Sequence, residues 1–255
     1  MTGAGGGTTA LLHVELRRAI RNKRTLIFSA VLPVIFFLAF SSGGGNDRLD
    51  GLSVAPYVMT SMAVYGVMNA LFTGGGLIGA ERSVGWNRQL RIAGLPGSRY
   101  VATKVVAAYV MAPPGLIAVL VAAALVQHVH LPAVRWVVTA VAVLAGLLPI
   151  AALGVLVGYV ARPQTLQALF GIGSALLALL GGLWVPASTF PRLLRDAVEV
   201  LPTYWSAATA RAALRGDWVG WHGAAVLIAW TLVLGALAAR AYRSDSIKPG
   251  VAGTT

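Results

Sequence analysis

An all-α integral membrane protein with six transmembrane helices and cytosolic termini is the fold class this sequence predicts. Three observations carry that prediction. The chain is 57% hydrophobic and only 11% charged, where a soluble domain carries about 25% charged residues. Its mean hydropathy is +0.76, so there is too little polar surface to cover the apolar surface in water. The apolar residues also fall into six long runs, each close to the ~20 residues that take a helix across ~30 Å of hydrocarbon.

In chain order, residues 1–10 are rich in glycine and threonine and are expected to be disordered. Residues 11–24 place Leu12, Leu16 and Ile20 at helical spacing, with Arg17, Arg21 and Arg24 on another face. That is a basic amphipathic helix suited to an anionic membrane surface, or equally a basic flank to the first span. The spans are expected at about 25–42, 54–80, 105–126, 136–161, 164–183 and 218–239. A secretory signal is a rival reading of the first run, but the run is long and five more follow. Gly43–Gly45 with Asn46, Asp47, Arg48 and Asp50 reads as a flexible loop, and Pro113-Pro114 breaks the third span. Residues 11–242 are expected to form one six-helix membrane domain, and 243–255 a tail.

Two stretches between the runs are not simple loops. Gly79–Pro96 is a polar, basic island that begins where Glu81 and Arg82 close the second run. After the fifth run, 184–217 holds a proline-bracketed helical stretch. Leu193, Leu194, Ala197, Val198 and Leu201 line one face of it, while Arg192–Asp196 and Arg195–Glu199 stand at i,i+4 on another. With Trp184, Tyr204 and Trp205 at its ends, it suits short helices lying in the outer interface.

Charge sets the orientation. With cytosolic termini, the inner segments hold fourteen bases and three acids, and the outer segments six bases and five acids. The net charge of +12 is therefore almost wholly topological, which removes the case for nucleic-acid binding. The chain has no cysteine, which excludes disulfides and thiolate chemistry. It has no Gly-x-x-x-x-Gly-Lys-Ser/Thr phosphate loop and no His-Glu-x-x-His, and His128-x-His130 reads as a solvated loop with no metal partners. No acid or base stands inside the runs to carry ions. If the chain transports, its energy comes from another protein. Gly75/Gly79, Gly154/Gly158, Gly171/Ala175 and Gly235/Ala239 are spaced four apart and allow close helix contact.

Taken together, Glu81-Arg82-x-x-Gly85-Trp86-x-Arg88-Gln89-Leu90-Arg91 with Gly94-Leu95-Pro96, and Trp184-Val185-Pro186 through Leu201-Pro202-Thr203-Tyr204-Trp205, resemble the membrane subunit of a type-2 ABC exporter of the drug- and antibiotic-resistance branch. The second acid that commonly follows Glu-Arg in that family is replaced by Ser83 and Val84. The resemblance implies a multi-pass permease of a prokaryotic cell membrane with no ATPase site of its own. ATP and Mg would be held by a cytosolic ATPase subunit in two copies, and the permease would pair with a second copy or close paralogue through spans one and five. Glu81, Arg82, Trp86, Arg88, Leu90 and Arg91 would match the coupling helix, with Trp86 and Leu90 as the apolar anchor. Leu12, Leu16, Arg17 and Arg21 would match the interfacial helix beside it. Trp184, Pro186, Pro191, Pro202, Tyr204 and Trp205 would belong to re-entrant outer helices that close the pathway. Phe36, Phe37, Asn69, Thr73, Gln167 and Ser174 would be candidates for its lining.

An amphipathic drug, antibiotic or lipid suits spans so poor in polar groups. A polysaccharide or lipid-linked precursor is the alternative cargo. A membrane lipid-modifying enzyme using His128, His130 or His222 is a further alternative, but no nucleophile–base spacing supports it.

Overall fold

Apolar runs with no water to bond their backbone must satisfy every N–H and C=O internally, so they fold as helices. A computed structural model describes residues 23–43, 48–83 and 97–245, with side chains at 30–43, 48–83 and 102–244. The elements are α1 (Lys23–Ser41), β1 (Arg48–Leu49), β2 (Leu52–Ser53), α2 (Val54–Ser83), α3 (Gly97–Met111), α4 (Pro113–Leu125), α5 (Ala133–Gly146) and α6 (Leu148–Val160). A 3-10 turn at Pro163–Thr165 leads into α7 (Leu166–Leu180), another at Ala187–Thr189 precedes α8 (Arg192–Val198), and α9 (Pro202–Arg215) and α10 (Gly220–Asp245) complete the chain. The protein is an all-α, multi-pass membrane protein in which five helical segments are long and apolar enough to cross a membrane. Of the expected first span, the apolar stretch with described side chains is Ala30–Ser41.

The interfacial-helix residues Leu12, Leu16, Arg17 and Arg21, the coupling residues Trp86, Arg88, Leu90 and Arg91, and most of the C-terminal tail lie outside the described residues.

Helix α2 is the axis of the bundle. It touches α1, α3, α4, α5, α6, α7 and α9, and most of its residues are buried. Glycine makes the α2–α6 approach possible. A Cβ on Gly75 would collide with the backbone of Gly154, and a Cβ on Gly158 with the carbonyl of Gly75. These two of the four small-residue pairs therefore meet each other. By contrast, Gly171 on α7 and Gly235 on α10 face open space.

Two spans are broken. The Pro113-Pro114 pair separates α3 from α4 as expected, because proline at a helix start lacks only an orphan N–H. The fourth span, expected to be continuous, also breaks at Leu147, with Pro149 in the first turn of α6. Hydroxyl groups satisfy the carbonyls that this break exposes. Ser206 donates to the Gly146 carbonyl (2.6 Å) and Tyr109 to that of Leu144 (3.0 Å).

Three expectations need correction. Residues 48–53 are a β-hairpin, not a flexible loop: Arg48 pairs with Ser53 and Leu49 with Leu52. Asp50 (φ 49°) and Gly51 (φ 79°) take the two left-handed positions, the geometry that Asp-Gly favours in a two-residue hairpin turn. Among the described residues, neither Arg192–Asp196 nor Arg195–Glu199 forms an ion pair. On an exposed seven-residue helix, fixing two long side chains costs as much as such a pair returns. Nor are the helices free of buried charge, because Glu81, Lys104 and Arg211 are all buried. Each is neutralised by partners that only the folded chain brings together.

Candidate functional site: the second span and the elements at its two ends

Three features lie along α2: an ion-paired stem at its C-terminal end, a partly open stripe, and a polar junction at the opposite end.

At the stem, Lys104 of α3 and Glu81 of α2 form a buried pair at 2.5 Å. They stand on the two helices that flank residues 84–96 in sequence, so the pair ties the C-terminal end of α2 to α3. Arg82 is half-buried. Its guanidinium donates to the carbonyls of Gly158 (3.1 Å) and Ala161 (3.4 Å) at the end of α6 and lies 5.8 Å from the Tyr159 ring. Glu81 thus ties the end of α2 to α3, and Arg82 ties it to the end of α6.

Along α2, burial fails on one stripe. Between Val58 and Gly79 only Asn69, Thr73, Gly76 and Leu77 are part-exposed, at the i, i+4, i+7, i+8 spacing of one helix face. The two polar lining candidates of this helix therefore share its one accessible side. Asn69 donates to the Tyr65 carbonyl (2.8 Å) and Thr73 to that of Asn69 (2.9 Å). These local bonds leave the amide oxygen of Asn69 with no hydrogen-bond partner among the described residues. Phe170 of α7 stacks on Phe72 at 5.0 Å beside the stripe. Other lining candidates are placed differently. Phe37 is fully buried in the core, Ser174 is buried and bonded to the Gly171 carbonyl (3.0 Å), and Gln167 is exposed.

Toward the hairpin end the stripe meets aromatic rings. Phe36 of α1, Tyr65 of α2 and Trp184 from the turn after α7 pack at centroid distances of 5.5–6.4 Å. The Trp184 indole N–H is buried and has no partner among the described residues. Tyr57, Ser61 and Tyr65, successive residues of one helical face, hold the 182–184 turn. Tyr57 donates its hydroxyl to the Gly182 carbonyl (2.7 Å).

Arg211 completes this junction, and the sequence had placed it in an outer loop. It is 4% exposed, donates to the Gly182 carbonyl (2.6 Å) and Ser61 Oγ (3.2 Å), lies 4.1 Å from the Tyr57 ring, and is 3.7 Å from Asp50 Oδ2. Burial pushes its pKa down, while Tyr57 and Asp50 oppose that shift. One side chain thereby joins the hairpin, α2, the post-α7 turn and α9. A sequence signal did exist: Ser206, Ala207, Ala210, Arg211 and Ala213 put the arginine on the small-residue face of α9, the face that packs.

The remaining outer candidates brace α9. Pro202 starts it, Trp205 Nε1 donates to the Glu199 carbonyl (2.6 Å), and Trp205 packs against His222 and Tyr204. Pro186 and Pro191 precede the Ala187–Thr189 turn and α8. His128 and His130 are exposed in the α4–α5 turn.

With this geometry in place, comparison with known proteins is informative. Over 220 residues the chain is 27% identical to the Bacillus subtilis (strain 168) protein named "Putative transport permease YvfS". The match covers 86% of this chain and 90% of that protein. The likeness is to a transport permease across nearly its whole length. No family model matches the chain. The matched length includes most of the spans, so the similarity concerns the membrane bundle as a whole rather than one motif.

Proposed function

We propose that this chain is the permease subunit of a type-2 ABC exporter. It dimerises, draws energy from ATP hydrolysed in partner subunits, and exports an amphipathic drug, antibiotic or lipid across a prokaryotic cell membrane. Six spans with cytosolic termini, a coupling helix at Arg82–Arg91 and outer closing helices at 184–205 belong to this reading.

The observation that carries it is the asymmetry of α2. A helix buried on its other faces leaves one polar-bearing stripe accessible, between a charged stem and a polar junction. Facing a second copy, such a stripe would form half of a pathway. The stem supplies the mechanical link: force on residues 84–96 reaches α2 and α3 through Glu81–Lys104, and α6 through Arg82. At the other end, outward opening would require the 182–184 turn to leave Tyr57 and Arg211. Nucleotide would drive the cycle only by binding the two states with different affinity. The near-complete likeness to a transport permease supports the same reading.

The test is co-expression with the cognate ABC ATPase subunit, followed by pull-down and export assays. Trp86→Ala with Leu90→Ala should abolish ATPase association and export while the permease still inserts and folds. Full association and export by that double variant would refute the coupling assignment.

A further inference from the structure

A groove on the opposite flank of the bundle lies between α5 and α10, away from the Asn69–Thr73 stripe. Its walls include Val138, Val141 and Ala145 of α5, and Leu227, Ile228 and Thr231 of α10. Its volume is about 460 Å³, within the roughly 300–1,000 Å³ of small-molecule sites. The hydroxyls near it are already used: Thr231 donates to the Leu227 carbonyl and Thr209 to that of Trp205, each at 2.7 Å. The walls therefore offer apolar contact only. From Ala224 to Leu232 the groove follows α10 for about 12 Å, most of one leaflet of a ~30 Å hydrocarbon core.

The mouth differs in chemistry from the walls. Trp218 and Trp221 are exposed there and touch edge to face, as aromatic side chains do at the headgroup level. Asp217 lines the mouth and pairs with Arg215 at 3.0 Å. Arg135, one turn before Val138, lies against Gly216, where an added Cβ would strike its guanidinium. It donates to the Ala213 carbonyl (3.5 Å) and pairs with no carboxylate among the described residues. A guanidinium without a carboxylate partner among the described residues thus stands against Gly216, next in the chain to Asp217, at the mouth of the apolar slot.

We infer that this groove binds one amine-headed zwitterionic phospholipid, its acyl chain between α5 and α10, its phosphate on Arg135 and its ammonium on Asp217. Guanidinium matches phosphate geometry with two parallel N–H bonds. A headgroup that is only anionic would gain the same arginine but meet the Asp217 carboxylate, so the charges select the zwitterion. The inference needs only a membrane-embedded chain and stands apart from the exporter reading.

Native mass spectrometry of the full chain tests it, after delipidation in detergent and doping with equal amounts of chain-matched phosphatidylethanolamine and phosphatidylglycerol. One phosphatidylethanolamine should remain per chain, favoured about five-fold over phosphatidylglycerol, the scale of one partly screened charge contact. Ala142→Phe with Ala224→Phe, which fills the groove, should remove the retained lipid. Asp217→Asn should bring the two lipids to parity, and Arg135→Gln should weaken both. These two mouth substitutions add no bulk to the groove and decide the matter if the filled variant does not fold. No retained lipid, equal retention of both lipids by the unsubstituted chain, or retention unchanged by filling would overturn the inference. So would a two-chain mass that filling abolishes, since the groove would then be an interface between copies.

Discussion

Arg211→Met removes the one side chain that joins four elements at the hairpin end while keeping most of its volume. The lost contacts have known scales. A charge-assisted bond to the Gly182 carbonyl is worth about 1.5–3 kcal/mol. Stacking over Tyr57 is worth about 0.5–2 kcal/mol. The ion pair to part-exposed Asp50, at 3.7 Å, adds less than about 1 kcal/mol. Against these, methionine no longer carries the cost of burying a cation, which is several kcal/mol before pairing. The Gly182 carbonyl also keeps its bond from Tyr57. A net local loosening of about 2 kcal/mol follows, or roughly a thirty-fold increase in the population of the opened turn. The chain's lack of cysteine makes this directly measurable. Leu183→Cys places a thiol at a position only 2% exposed, next to the turn that Arg211 holds. In nanodiscs its maleimide labelling should accelerate about thirty-fold in the Arg211→Met background. A control thiol at Val155, buried on α6, should label at an unchanged rate. Labelling of the turn thiol within two-fold of the parent rate would refute the junction as a latch. Equal acceleration at both thiols would reduce it to general stability.

Three further outcomes are expected. Glu81→Gln or Lys104→Met alone breaks the buried pair and should lower unfolding stability by about 3–5 kcal/mol, whereas the double substitution should recover most of that loss in a detergent thermal melt. Gly75→Ala must displace the Gly154 backbone and should cost about 1–3 kcal/mol by overpacking, while Gly171→Ala, with nothing near it, should leave the monomer's melt unchanged. Asn69→Leu on the open stripe should change stability by less than about 1 kcal/mol yet alter which compounds stimulate transport, measured as substrate-dependent ATPase activity of the assembled complex.

Legibility in the sequence followed the range over which each signal acts. Helical spans and the Pro113-Pro114 break were readable because hydropathy and missing N–H groups act within a few residues. The hairpin was equally local, through Asp50-Gly51, and was missed because the glycines before it drew the reading toward a flexible loop. The break at Leu147 was partly local, through Pro149. What holds it in place is Ser206, sixty residues away.

The candidate site divides in the same way. Asn69 and Thr73 could be chosen as polar residues four apart, but their importance depends on α2 being covered everywhere else, which is a property of seven neighbouring helices. Glu81 and Arg82 were conspicuous as the end of an apolar run. That they turn inward to Lys104, Gly158 and Ala161 appears only when α3 and α6 are packed beside them.

By itself, then, the sequence determined that this chain lives in a membrane, where its helices run, and which polar stretches interrupt them. Hydropathy, proline and charge count decide those matters residue by residue. The tertiary structure alone decided that two of four glycine pairs interlock, that one stripe of α2 stays open, and that Arg211 is an interior residue. Each depends on which distant surfaces meet, and a buried charge is tolerable only where folding delivers its partners.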